Sequence, residues 1–113
     1  MLQGLNDKSI KMVEGDFGII LPIVIQTTTN ISEDTFKITI YSKVDTEPII
    51  TKEYNNISNN TINFQLTEND SQKLKPGMYC YDLDWYNENT FLGNLIAKKN
   101  FKVEDKAGVV SGS

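Results

Sequence analysis

The sequence predicts an all-β domain, an antiparallel β-sandwich of about seven strands with one short helical turn near 68–74. Three observations predict it. Apolar and polar residues alternate with a period of two along most of the chain, and no long window holds a helical period. β-Branched and aromatic residues fill these runs, while Gly, Pro, Asn and Asp fall between them. The runs recur every roughly 8–12 residues, the spacing of sandwich strands. A chain of 113 residues fits one domain, since domains most often hold roughly 100–150 residues.

The elements follow in order. Ser9 to Val13 is a short first strand leading into a turn at Gly15-Asp16. Phe17 to Thr27 reads as a long apolar strand, with Pro22 removing a ladder donor and so lying at an edge or a bulge. Thr28 to Asp34 is a polar loop. Thr35 to Ser42 alternates cleanly, with Phe36, Ile38 and Ile40 on one face. After a turn at Val44 to Pro48, Ile49 to Tyr54 is an edge strand, where Lys52 and Glu53 deter pairing with a foreign edge. Asn55 to Asn60 is a loop, and Thr61 to Leu66 turns Ile62, Phe64 and Leu66 inward.

Thr67 to Gly77 breaks the alternation. Thr67 suits the cap of a helical turn whose acidic residues are Glu68 and Asp70, with Leu74 as its apolar anchor. Met78 to Tyr86 is the central strand, with Tyr79, Tyr81, Leu83 and Trp85 inward. Asn87 to Asn89 is a hairpin loop, and Thr90 to Ala97 and Lys98 to Val103 close the fold as two strands. The count and spacing are those of an immunoglobulin-like sandwich, without the Cys…Trp…Cys hallmark of antibody domains. The organisation is an N-terminal arm over 1–8, a sandwich over 9–104 and a small, polar C-terminal tail over 105–113.

Composition narrows the function. Net charge is −4, and all eleven basic residues are Lys. Without Arg there is no bidentate fork for phosphate or guanine, and an acidic chain lacks the basic patch a nucleic-acid binder needs. No His is present, which removes the commonest general base and metal ligand. One Cys, Cys80, forms no internal disulfide and no thiolate zinc cluster. The expectation is a non-enzymatic protein with no cofactor, no metal, no nucleic acid and no membrane partner. The N-terminus has no apolar h-region of a secretory signal, and the longest apolar run is too short to span a bilayer. Synthesis and folding in the cytosol are therefore expected.

Three constellations invite a site. Asp82 and Asp84 project from one strand face and could hold Ca²⁺ with Asp16 or Glu88, although a charged, solvated face is the plainer reading. Tyr86 has the parity opposite to Trp85 and is the better exposed contact, and with Trp85 and Phe91 it offers a stacking platform for a glycan. Leu2 and Leu5 in the arm have no core role in the pattern and are candidate contacts to a neighbouring subunit.

One block is more specific. Phe64 to Leu83 reads FQLTENDSQKLKPGMYCYDL, with Leu66-Thr67, Asp70, Leu74, Pro76-Gly77 and Tyr79-x-Tyr81-Asp82-Leu83 as its fixed points. It resembles small immunoglobulin-like domains of tailed-phage structural proteins, and is similar to the N-terminal domain of phage baseplate upper proteins. The Gly15-Asp16 turn and the closing Phe101-x-Val103 fit the same layout, so the resemblance covers Ile10 to Glu104. It implies a virion structural subunit, a capsid decoration protein or a tail and baseplate accessory. Its partners would be major capsid or tail and baseplate subunits, with a homo-oligomer on the particle and a host-surface glycan as further partners. A carbohydrate-binding or adhesion module is the alternative.

Overall fold

Alternation builds the layers. In the computed structural model, which describes residues 3–4 and 8–106, β-strands alternate buried and more exposed side chains around one core, most cleanly from Thr35 to Tyr41. The elements are β1 (Gln3–Gly4), β2 (Ile10–Val13), β3 (Leu21–Val24), β4 (Thr35–Ser42), β5 (Pro48–Asn55), β6 (Thr61–Phe64), α1 (Glu68–Gln72), β7 (Gly77–Asn87) and β8 (Thr90–Glu104). They form a six-stranded sheet in the order β1-β2-β8-β7-β4-β5, faced by a two-stranded sheet of β3 and β6. This is the all-β, sandwich-like architecture the sequence predicts.

The core lies between the layers. Phe36, Ile38 and Ile40 of β4 meet Tyr81 and Leu83 of β7, Phe101 and Val103 of β8, and Ile62 and Phe64 of β6, all buried. Ile10 and Met12 of β2 and Leu74 after α1 close its ends. Trp85 and Tyr79 pack against this cluster on the inner face, as their parity predicts. β7 lies inside the large sheet and β5 at its edge, also as predicted.

The expected strand Phe17 to Thr27 shortens to Leu21–Val24. Gly18 takes a left-handed φ of 80°, which breaks an extended run. Its N–H bonds the Leu66 carbonyl, and its own carbonyl accepts the Gln65 side-chain amide. The two expected closing strands are one, Thr90–Glu104, kinked by bulges rather than interrupted. The sheet is mixed, not wholly antiparallel, because β2 runs parallel to β8 from Ile10↔Phe101 to Val13↔Glu104. Within the expected arm, Gln3 and Gly4 pair with Lys11 and Ile10 of the chain's own β2. Leu2 and Leu5 lie outside the described residues, as does most of the expected tail.

The block from Leu66 to Leu83 forms one corner. Thr67 Oγ1 accepts the Asp70 N–H at 3.1 Å, and Asp70 Oδ2 accepts the Thr67 N–H at 2.9 Å, a reciprocal capping box. Gly77 starts β7 at a positive φ of 153°. The Tyr79 hydroxyl then reaches back to the Lys75 carbonyl at 2.8 Å and pins strand to turn. Among the described residues no helix is long and apolar enough to cross a membrane.

Candidate functional site

The exposed apolar residues of the large sheet gather on the β7–β8 hairpin, and local geometry explains why. Glu88 and Asn89 both take left-handed φ values, 48° and 68°, so a two-residue loop joins the strands with the tight twist of a type I′ turn. The ladder then slips three times. Tyr86 faces Phe91 but Trp85 faces Gly93, which leaves Leu92 extra. Asp84 faces Asn94 but Leu83 faces Ile96, which leaves Leu95 extra. Tyr81 faces Lys99, so Asp82 stands opposite both Ala97 and Lys98. Each extra residue bends the strand and re-aims its side chain.

The result is an apolar outer tip. Phe91 is 52% exposed, and Leu92, next to it in the chain, is exposed as well. Tyr86 is half-buried and meets Phe91 edge to face, with ring centroids 5.5 Å apart and an interplanar angle of 67°. Lys37 Nζ lies 4.8 Å from the Tyr86 ring centre, a cation–π contact that occupies one face of the ring. Trp85 points the other way. Its indole N–H donates to Asp34 Oδ2 at 2.7 Å, while the Asn87 side chain donates to Asp34 Oδ1 at 2.6 Å. Trp85, Tyr86 and Phe91 therefore do not share a flat stacking surface. Leu95 leans towards the small sheet, where it lines a shallow cavity with Ile25, Ile31, Phe36 and Trp85.

The acidic pair is a structural device. Asp82 Oδ1 accepts the Lys98 N–H at 2.8 Å and the Tyr41 hydroxyl at 3.1 Å. Lys98 sits at φ 52°, so Asp82 holds the third bulge in its left-handed conformation. Burial, followed by the bond to Asp82 and its charge, pushes the Tyr41 phenol up to about 12. Asp84 accepts the Asn94 side-chain amide. Its carboxyl is raised, first by burial and then by the Asp82 charge, against the lowering bond from Asn94. Asp16 accepts the Val13 N–H at its own turn, and Glu88 sits in the hairpin loop. Among the described residues no three His, Cys, Asp or Glu side chains come together as a metal cluster. Cys80 is a buried free thiol.

Of the residues singled out by sequence, Tyr86 is at the site, while Leu2 and Leu5 are outside the described residues. Sequence reasoning missed Leu92 and Leu95, whose exposure goes with bulges that parity alone does not mark. Compared with protein-family models, curated proteins and solved structures, the chain matches none.

Proposed function

We propose that this chain is a non-enzymatic structural subunit of a tailed-phage virion. It is made in the host bacterial cytoplasm and fixed to capsid or to tail and baseplate subunits through the tip of the β7–β8 hairpin. One observation carries the reading: Phe91 and Leu92 stand exposed beside Tyr86 on a bulged, otherwise well-tied hairpin. Contiguous apolar side chains presented on a rigid element fit a partner surface better than bulk water.

Two features support the immunoglobulin-like part of the reading. The order β8-β7-β4-β5, facing β3-β6, follows the G-F-C-C′ and B-E order of variable-type sandwiches. The Tyr79-to-Lys75 bond has the form of a tyrosine corner. The block on which the phage resemblance rests, Leu66 to Leu83, folds as one capped corner and strand, the kind of unit that a sequence signature can preserve. On a symmetric particle, weak single contacts add up through multivalency.

The test is immuno-labelled negative-stain imaging of particles from the source strain. Labelled heads or tails are expected, with Phe91→Asp plus Leu92→Asp lowering occupancy while the circular dichroism spectrum stays unchanged. Label confined to free cytoplasmic protein would refute the reading.

A further inference from the structure

The two layers are unequal. Six strands face two, and β3 is bonded to β6 on one side only among the described residues. The backbone parity of that free side can be read directly. The Ile25 N–H bonds the Asn60 carbonyl at 2.7 Å, so Ile23 and Leu21, at alternate positions, face β6 as well. The N–H and C=O of Val24 and the C=O of Pro22 therefore point away from β6, along the open edge. Pro22 has no N–H to offer, so Val24 supplies the donor at the centre of this edge.

The side chains around the edge are apolar; Leu21 lies beside Gly4 of β1, while Val24 is open to solvent. Val24 is 54% exposed, and Phe17, Ile19 and Ile20 are exposed nearby in sequence. A seam opens between β3 and β8. Its middle is a depression of about 200 Å³ lined by Ile23, Val24, Ile25, Leu83, Leu95 and Ile96, with Lys8 as the one charged residue in its wall. From Phe17 to Ser32 the sequence holds no charged residue, in a chain of net charge −4.

We propose that the free edge of β3 pairs antiparallel with the same edge of a second copy of this chain, about a two-fold axis at Val24. The contact joins the small sheets into a four-stranded layer, β6-β3-β3-β6. On the axis, each Val24 N–H donates to the Val24 carbonyl of the other copy, so both edge groups are used reciprocally in an isologous contact. Pro22 limits the ladder to that short span, which protects the edge from open-ended strand addition.

Electrostatics favours a copy on this flank. Two acidic chains repel over most of their surfaces, and the uncharged stretch from Phe17 to Ser32 brings no carboxylates together, with Lys8 the charged residue beside it. Of the other terminal strands, β1, β5 and β6, the long β5 is guarded. β5 carries Lys52 and Glu53, and Lys52 is engaged by Asp70. The second copy brings Val24 and Ile20 over the seam and covers part of its apolar wall. This inference stands apart from the virion reading, because purified chain alone reports it.

The experiment is sedimentation equilibrium on the full chain, with a disulfide-trapping variant beside it. A mass rising with concentration from 12.8 kDa towards twice that value is expected. Val24→Lys, at an exposed position, should weaken association by about tenfold or more, as like charges set across an interface do. Val44→Lys, at a site 94% exposed on a distant turn, should leave association unchanged. Residues in a hydrogen-bonded antiparallel pair have Cα atoms about 5.5 Å apart, within disulfide reach. Val24→Cys should therefore give a covalent dimer on mild oxidation, and Val44→Cys should not. A monomer at every concentration up to the solubility limit overturns the proposal. So does a dimer that survives Val24→Lys and leaves Val24→Cys uncrosslinked.

Discussion

Asp34 is 6% exposed, and both of its carboxylate oxygens are bonded, to Trp85 and to Asn87. It ties the loop before β4 to the end of β7. Removing one partner of a buried acceptor leaves the desolvation cost standing without its bond. Trp85→Phe keeps most of the ring but loses the indole N–H, and should cost about 1–3 kcal/mol in a urea melt, as for any buried polar group left unpaired. The inward direction of Trp85 was legible from its shared parity with Tyr79, Tyr81 and Leu83. The role of Asp34 was not, because its partners lie 51 and 53 residues away. A polar residue at the end of a polar loop carries no local sign of such distant bonds. The same holds for Asp82, which looks like half of an acidic pair in sequence and acts as the brace of a bulge in the fold.

At the scale of elements, α1 depends on its cap. Its five residues are too few to be stable by propensity alone, so the Thr67–Asp70 box and the buried Leu74 hold it. Thr67→Ala should cost about 0.5–2 kcal/mol, the usual range for losing a cap, read by thermal denaturation. Asp70 also pairs with Lys52 of β5. Burial alone would raise its carboxyl, but the Lys52 bond, the Thr67 bonds and the Lys52 charge outweigh that and hold it below the usual range. A carboxyl lowered on folding adds stability above its unfolded value, and that stability is lost as pH falls through the folded value. Asp70→Asn should therefore cost about 1 kcal/mol near neutral pH, the upper end for a partly exposed ion pair. The cost should vanish in strong acid, as urea melts across pH would show. The corner was legible because its signals are local: a capping residue, acidic residues in the first turn, then Pro-Gly. β8 was less so. Its bulge at Ala97–Lys98 looks in sequence like the gap between two strands, because a left-handed Lys stabilised by a cross-strand carboxylate leaves no turn residue behind.

At the scale of the molecule, period-two patterning gave away the all-β class and most strand positions, since each strand has one face in the core. The mixed topology was hidden, because alternation fixes which face is buried but not which neighbour runs parallel. Much of the fold joins distant parts of the chain, with β2 pairing with β8 and β4 with β7. Closing such loops precedes the gain from their contacts, so refolding should be slow, on the order of milliseconds to seconds in stopped-flow fluorescence of Trp85. The parallel β2–β8 pair has one more consequence. Tension applied through the backbone before Ile10 and after Glu104 pulls these two strands along their length in opposite senses. The ladder from Ile10↔Phe101 to Val13↔Glu104 is then loaded in shear, so its hydrogen bonds resist together instead of unzipping singly. A domain tethered in this way would stretch little until it gave way all at once.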